Sequence, residues 1–145
     1  MNELDQGPSM PRAVVRSGTQ VLFMFGNAVY FPNYVPIISG TGQFTIEKIP
    51  ACIEGDEKSV KGIGMYTYGP YTVAGTCEVT IERLNSDQLA PTVLSRTRVI
   101  VKGTQAIATL EPKMRAKTPG QNEDQMLFYK GTAQFLVPPP FVYAG

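Results

Sequence analysis

The amino-acid sequence predicts an all-β fold: a compact single domain of short antiparallel strands and hairpins, with internal quasi-repeats and no long helix. Its apolar stretches are rich in Val, Ile, Thr, Tyr and Phe, which favour strands. The 14 glycines and 12 prolines among 145 residues interrupt these stretches at short intervals, as turns do. A glycine-threonine pair also precedes a short apolar stretch five times, starting at Gly18, Gly40, Gly75, Gly103 and Gly131. A turn-and-strand unit that recurs within one chain is typical of a body built from related hairpins.

Three copies of this unit resemble one another beyond the glycine-threonine pair. Residues 39–49 read SGTGQFTIEKI, residues 74–84 read AGTCEVTIERL, and residues 130–137 read KGTAQFLV. Successive pairs lie 22, 35, 28 and 28 residues apart, which is too irregular for a strict solenoid. The repeated positions hold turn formers and strand formers but no catalytic groups, and they therefore indicate a structural or docking protein.

The first part of the chain predicts strands around one irregular segment. Residues 13–26 contain a strand, a turn and a second, mostly buried strand. Residues 27–38 should be extended or irregular, because Pro32 and Pro36 disfavour both a helix and a central strand. Residues 43–49 alternate along their length and predict the most regular strand of the chain.

The second part predicts further strands separated by polar segments. These strands are expected at residues 60–65, 66–73, 78–84, 94–102 and 105–110. Residues 85–92 suit a single helical turn at most. Residues 111–124 predict a long exposed loop, the most flexible segment of the body. Residues 125–129 and 133–137 are expected to form a hairpin around residues 130–132.

Three regions of the chain are expected to behave differently. Residues 1–12 form a polar, flexible N-terminal arm that orders only on a partner. Residues 13–137 form the β domain with the repeated Gly-Thr-strand units. Residues 138–145 form a proline-rich C-terminal tail with apolar side chains, which either returns to the body or inserts into a partner.

Composition and charge exclude several classes of function. A net charge of +1, from 13 basic and 12 acidic residues, gives no electrostatic reason to expect nucleic acid or an anionic membrane as partner. Without histidine, the chain lacks the base of a Ser-His or Cys-His nucleophile. Asp56 and Glu57 are expected to be solvated loop carboxylates, and Glu47 and Glu82 to hold equivalent places on a polar sheet face. We therefore expect no enzymatic activity.

No cofactor and no metal site are expected. Cys52 and Cys77, with no histidine and no CxxC spacing, do not supply the ligands of a tetrahedral zinc site. We expect two reduced thiols, with a disulfide between them as the alternative. The N-terminus carries no secretory signal, which indicates synthesis in the cytoplasm. The longest apolar run, residues 21–25, is far shorter than the roughly 20 residues of a membrane-spanning helix. An integral membrane protein is therefore not expected.

Aromatic side chains are the best candidates for contacts with a protein partner. Tyr66, Tyr68 and Tyr71 form the densest patch, which is either an amphipathic strand edge or a docking surface. Tyr66 and Tyr68 share a face if this stretch is a strand. The full set of candidate docking residues is Tyr30, Phe31, Tyr34, Tyr66, Tyr68, Tyr71, Phe141 and Tyr143.

Short motifs in three parts of the chain carry a resemblance to a known family. Residues 10–13 (MPRA), followed by residues 16–18 (RSG), are similar to an opening Pro-Ala-Ala-Arg segment that runs to a glycine. Residues 98–106 (RVIVKGTQA) look like a recurrent strand, and residues 51–52 (AC) with 55–57 (GDE) look like a loop of the same group. The chain thus resembles the PAAR and PAAR-like family of spike tips. Because metal-binding members hold zinc with histidines and a cysteine, the resemblance implies a metal-free variant.

The resemblance implies a structural protein at the tip of a phage tail or contractile injection machine. Such a protein is made in the bacterial cytoplasm and caps a trimeric β-helical spike or hub protein. It gives the spike a rigid point that aids puncture of a target membrane, with only transient membrane contact. We also hypothesise that the copies at residues 40, 75 and 131 present similar surfaces to three identical subunits.

Two other functions fit the same residues. Another β-type virion component, such as a baseplate or tail accessory protein or a capsid decoration protein, would be present in many copies rather than one. A carbohydrate- or ligand-binding β domain would have a concave site lined by Tyr66, Tyr68 and Tyr71.

Overall fold

The computed structural model describes residues 12–94 and 97–144 and confirms the all-β class. Its strands are β1 (Arg12–Ala13), β2 (Gln20–Met24), β3 (Ala28–Pro32), β4 (Thr45–Ile46), β5 (Ile49–Pro50), β6 (Lys61–Tyr68), β7 (Tyr71–Arg83), β8 (Leu89–Leu94), β9 (Thr97–Ile100), β10 (Ala106–Met114), β11 (Tyr129–Leu136) and β12 (Tyr143–Ala144). Short 3-10 turns lie at Asp56–Ser59 and Ser86–Gln88. The expected N-terminal arm lies outside the described residues except for its last residue.

The body is a six-stranded antiparallel sheet that is nearly closed into a barrel. Its strand order is β2-β11-β10-β7-β6-β3, so the two outermost strands are consecutive in the chain. A tight turn joins them, and the Ala28 amide donates to the Phe25 carbonyl at 3.3 Å. Further along, the Val21 amide donates to the Pro36 carbonyl at 2.9 Å. The segment after β3 therefore covers part of the edge of β2, and little strand edge stays open on the barrel.

The barrel has two different ends. The first, which we call the turn end, holds the β2–β3 turn, the β6–β7 turn at Gly69-Pro70 and the β10–β11 connection at residues 115–128. The second, which we call the terminal end, holds the long connections at residues 33–60 and 84–105 together with β1 and β12. All additional short strands lie at the terminal end.

Alternating side chains fill the barrel. Along β7, Cys77, Val79 and Ile81 point inward, where they meet Leu110 and Phe135 from neighbouring strands. Burying a large aliphatic or aromatic side chain stabilises the fold by about 1.5–3 kcal/mol. A second, smaller core lies at the terminal end and consists of Val14, Ile46, Ala51, Ala90, Val99 and Val101. The two cores explain why the terminal end is ordered although its strands are short.

The predicted strand at residues 43–49 is wrong. The chain instead turns back on itself, and β4 pairs with β5 in a hairpin whose two turn residues are Glu47 and Lys48. Their φ angles are 52° and 70°, the left-handed values that a two-residue hairpin turn requires. Glu47 is therefore a turn residue and is not equivalent to Glu82, which lies within β7.

The predicted hairpin around residues 130–132 is also wrong, because β11 runs without interruption through Gly131. Gly131 is needed because the backbone of the neighbouring strand passes very close to it, and not because the chain turns there. A Cβ at Gly131 would lie 2.1 Å from the Met24 carbonyl oxygen, and one at Gly75 in β7 would lie 2.1 Å from the Met114 carbonyl oxygen. Neighbouring backbones thus pass too close for any side chain.

The three best copies of the glycine-threonine unit consequently do not share one structure. The copy at residue 40 begins in an irregular segment, whereas those at 75 and 131 lie inside strands of the main sheet. These copies do not supply the three equivalent surfaces that we hypothesised for a three-fold platform.

The exposed loop predicted at residues 111–124 is largely ordered structure. Strand β10 continues to Met114, and Val73 and Lys117 exchange two backbone hydrogen bonds of 2.9 Å. Ala116 and Asp124 are buried. Their burial was not predicted because the sequence here is polar.

The other local predictions agree better with the structure. Residues 60–73 and 78–84 lie mainly in β6 and β7, and residues 85–92 contain one 3-10 turn before β8. Of the two fates considered for the C-terminal tail, the structure shows the first: β12 pairs with β1.

Candidate docking surfaces

The densest predicted aromatic patch faces the inside of the barrel. Tyr66 is fully buried, and its ring lies 5.8 Å from that of Tyr129. The Tyr68 ring stacks on Tyr71 at 6.5 Å and lies tilted against Tyr129 at 4.9 Å. Tyr66 and Tyr68 do share a face, but it is the inner one. In the described structure these tyrosines therefore pack with the barrel core, and Tyr66 offers a partner no accessible surface.

The same tyrosines hold a buried carboxylate at the turn end. The hydroxyl groups of Tyr66 and Tyr129 donate to Asp124 Oδ2 at 2.8 and 2.5 Å. The Met126 amide donates to Asp124 Oδ1 at 2.9 Å. The Tyr66 oxygen in turn accepts a hydrogen bond of 3.0 Å from the Ala116 amide. Asp124 thus fastens the β10–β11 connection to the mouth of the barrel.

A cation completes this arrangement. Arg115 Nη1 donates to the carbonyl oxygens of Asp124 and Met126 at 2.8 and 2.9 Å. Burial raises the pKa of Tyr66 to about 12, and hydrogen bonding to Asp124 adds to the shift. Burial followed by the same hydrogen bond also raises the pKa of Tyr129. Both hydroxyl groups therefore stay protonated and act as donors near neutral pH.

The side chains of β3 divide between the two faces of the sheet. Tyr30 points inward, packs edge-on against Phe23 and Phe25, and has a buried hydroxyl without a partner among the described residues. Burial raises its pKa to about 12, with smaller contributions from Cys77 and Tyr34. Tyr30 is consequently a core residue with little surface to offer a partner.

An apolar strip covers the outer face of the sheet around β3. Phe31 is directly opposite Met65 of β6, and both side chains are more than two-fifths exposed. The strip consists of Leu22, Met24, Val29, Phe31, Ile63 and Met65. Tyr34 follows β3 and is half exposed. Phe31 and Tyr34 are thus accessible to a partner.

A second exposed aromatic pair lies at the terminal end. The rings of Phe141 and Tyr143 are 6.2 Å apart, and each is about half exposed. They border a cavity of about 260 Å³ that is lined by Arg12, Ala13, Lys102, Gly103, Phe141 and Tyr143. Two cations and two aromatic rings therefore surround one largely apolar hollow.

A buried arginine positions this pair. The Arg16 guanidinium donates from Nη1 to the Pro140 carbonyl at 3.0 Å and from Nη2 to the carbonyls of Pro138 and Pro139 at 2.9 Å. Residues 138–140 have no backbone N–H to donate, and the Arg16 guanidinium satisfies their carbonyl oxygens. Arg16 thereby directs the tail back toward β1.

Exposed apolar side chains also occur at the turn end. Met126, Leu127 and Phe128 form a consecutive exposed run, and Met114 is two-thirds exposed. The backbone of this run is fixed by Asp124 and Arg115. The side chains therefore project from a braced loop.

The described parts of the chain hold few clusters of side chains that could bind a metal or act as nucleophiles. No group of three or more His, Cys, Asp or Glu side chains that could hold a metal ion occurs there. Cys52 and Cys77 are separate buried thiols; burial raises the pKa of each to about 12, with an added effect of Asp56 on Cys52. Within residues 12–94 and 97–144, no helix has the length and apolar character needed to cross a membrane.

One of the paired loop carboxylates was misjudged. Asp56 is buried and accepts hydrogen bonds from the Thr41 amide at 2.9 Å, the Thr41 hydroxyl at 2.8 Å and the Ile53 amide at 2.9 Å. It is a structural acceptor rather than a solvated charge. Glu57 is only half-buried and caps the amide of Gly55.

The residues that sequence reasoning missed are Asp124 and Arg16. The two hydroxyl groups that donate to Asp124 Oδ2 belong to strand residues, and one of them, Tyr66, lies 58 positions away in the sequence. The partners of Arg16 lie more than 120 positions away. Arg16 stood in the opening motif, so that motif was the one signal that could have singled it out.

The nearly closed barrel, the exposed aromatic surfaces and the braced turn end are typical of an all-β structural protein. The family model described as "contractile injection system spike tip protein" matches residues 10–145, and the chain belongs to that family. The resemblance to PAAR-like spike tips is confirmed. A comparison with curated proteins found no match.

Proposed function

We propose that this protein caps a trimeric β-helical spike, in a phage tail or a related contractile machine, and helps the spike to puncture a target membrane. Membership of the spike tip family supports a structural role at the tip of such a machine. In this proposal the protein is no enzyme, needs no metal or cofactor, and meets the membrane only in passing. Its lasting partner is the spike or hub protein.

The observation that carries the proposal is the difference between the two ends of the barrel. At the turn end, two connections are tight turns, and the third is fastened by Asp124, Tyr66 and Tyr129. A nearly closed sheet with hydrogen-bonded connections resists deformation, because bending it would break many backbone hydrogen bonds together. Such an end suits the leading point of a spike.

The terminal end suits attachment. It collects the longer connections, both described chain ends and the accessible pair Phe141 and Tyr143. Phe31 and Tyr34 on the barrel wall are further candidate contacts, whereas Tyr30, Tyr66, Tyr68 and Tyr71 serve the core. Aromatic side chains at half exposure are well placed for docking, since they bury a large area with few rotatable bonds.

The apolar run at the turn end supports the membrane part of the proposal. Met126, Leu127 and Phe128 would meet lipid first if the turn end leads. Apolar side chains lower the cost of entering a bilayer. Particles carrying Leu127→Asp with Phe128→Asp should assemble normally but release less dye from target vesicles than wild-type particles. Equal dye release would contradict the membrane part of the proposal.

Electron microscopy of the native assembly tests the proposal directly. We expect one copy on the particle axis beyond a trimeric needle, with the turn end pointing outward. Many copies along a tube or a shell would overturn the proposal and favour a baseplate, tail accessory or decoration protein instead.

A further inference from the structure

We propose that one spike subunit docks by adding a β-strand to the free edge of β12, so that this chain engages only one of the three subunits through its main chain. The inference rests on the proposed function, since it names the contact by which the tip is held. In this mode of recognition, backbone hydrogen bonds at the terminal end provide affinity and side chains provide specificity.

The direction of the backbone groups in β12 carries the first step. The Val14 amide donates to the Val142 carbonyl at 2.7 Å, so Val142 faces β1. In an antiparallel ladder successive residues face opposite sides. Tyr143, which is opposite Ala13, therefore turns its N–H and C=O away from β1. No residue in the described ranges pairs with that side of β12.

The other side of β1 is already occupied. The Ala13 carbonyl accepts from the Lys102 amide at 2.8 Å, and the Val15 amide donates to the Ile100 carbonyl at 2.9 Å. Within the described chain, β12 is therefore the outermost strand of this small sheet. An unpaired strand edge is a template for another strand.

Side chains beside the edge define the chemistry of the partner strand. Val142 and Ala144 pack inward on the second core, whereas Phe141 and Tyr143 point outward and border the 260 Å³ cavity. Lys102 lies on the same cavity, is exposed, and makes no ion pair with a described residue. A strand added at this edge would lie beside Phe141 and Tyr143, so it should carry a large apolar side chain that packs against these two rings.

The edge also resolves a mismatch of symmetry. A trimer presents three equivalent strands, but the described part of this chain has a single β12 edge, and its copies at residues 40, 75 and 131 differ in structure. One subunit is therefore bound by the main chain, and the other two are contacted only through side chains. Reconstruction of the assembly without imposed three-fold symmetry should show continuous strand density between β12 and one subunit.

The decisive experiment compares two substitutions at one position. Tyr143→Pro removes the N–H on the free side of β12, and Tyr143→Val removes the ring but keeps the N–H. Neither change touches the hydrogen bond between Val14 and Val142. We expect Tyr143→Pro to bind the isolated spike trimer about tenfold more weakly than Tyr143→Val, because it loses a main-chain hydrogen bond. Matching circular dichroism spectra and melting temperatures would show that both variants fold.

Each outcome has a definite meaning. If wild-type protein sits on the axis but the two variants bind equally well, the strand-addition inference is overturned and the proposed function stands. If wild-type protein is absent from the axis, both are overturned.

Discussion

Residues 39–49 and 74–84 have closely related sequences but different structures. Five of their eleven positions are identical and most others are conservative. The first copy bends into the β4–β5 hairpin, and the second lies within or beside the 13-residue strand β7. Local sequence therefore does not decide the structure here, and the contacts of each copy with the rest of the chain do.

The two threonines show how these contacts differ. Thr41 donates from its amide and its hydroxyl to Asp56, which holds the first copy against a 3-10 turn. Thr76 lies in β7, and its hydroxyl accepts a hydrogen bond of 3.0 Å from the Met114 amide. The first copy is thus held by a buried carboxylate, and the second by a neighbouring strand.

The largest expected effect comes from the glycine of the second copy. Gly75→Ala should lower the free energy of unfolding by about 3 kcal/mol, because the new Cβ would collide with backbone atoms of Met114 and Ala116. The matched change Gly40→Ala should cost less, since the nearest atoms lie 2.9 Å from the added Cβ rather than 2.1 Å. Urea denaturation measures the free energy of unfolding of both variants. Equal losses would contradict the conclusion that the neighbouring backbone passes closer to Gly75 than to Gly40.

The carboxylate that holds the first copy should have the next largest effect. Asp56→Ala leaves three donors without their acceptor and should cost about 2 kcal/mol of unfolding free energy. Glu57→Ala is a suitable control, because Glu57 makes a single exposed hydrogen bond to Gly55. Hydrogen exchange at the Thr41 amide should accelerate in the first variant alone. Unchanged exchange would show that Asp56 does not hold this copy.

Alkaline pH should destabilise the strand pairing around the second copy. Tyr66 lies opposite Gly75, and its pKa is raised from 10.0 to about 12. Because the folded state favours the neutral hydroxyl, this stabilisation is complete below pH 10 and is lost as pH rises through about 12. We expect a loss on the order of 1 kcal/mol in that window.

Denaturation midpoints at pH 9 and pH 11.5 check this expectation. The double variant Tyr66→Phe with Tyr129→Phe should be less stable at pH 9 but should decline less between the two values. A wild-type midpoint that declines no more than that of the double variant would show that these hydroxyl groups do not couple folding to pH.

The smallest expected effect has opposite signs in the two copies. Lys48→Gly should stabilise the protein by about 0.5 kcal/mol, because Lys48 has a φ of 70° and glycine adopts that angle without strain. The corresponding change Arg83→Gly should destabilise by a similar amount, because glycine weakens a strand. Thermal melts of both variants measure the two changes in stability. A change of the same sign in both variants would contradict the assignment of Lys48 to a turn and Arg83 to a strand.

Sequence patterns predicted the fold class well because strand formers and turn formers are distributed along the whole chain. They failed where long-range contacts decide the local structure. Residues 43–49 alternate like a strand, but the chain turns at Glu47 and Lys48. The turn lets Ile46 pack in the second core, and the local sequence does not reveal this contact. Gly131 looks like a turn former, and only its approach to Met24 in a distant strand explains it.

Long-range contacts also decide which candidate docking residues are buried and which are exposed. An aromatic side chain on a barrel strand faces inward or outward according to register, and the sequence around Tyr66 gives no indication that Asp124 will meet its hydroxyl. Phe141 and Tyr143 are about half exposed, and their role in docking stays a prediction. The unpaired edge beside them could be recognised only from the pairing of β12 with β1.

The adjacency of β1 and β12 has a practical consequence for engineering this molecule. A reporter or cargo attached before Arg12 or after Ala144 would emerge at the same pole. A short insertion between Gly69 and Pro70 would instead emerge at the opposite pole, where a tight turn joins two long strands. The choice of attachment point therefore selects which pole of the protein carries the added group.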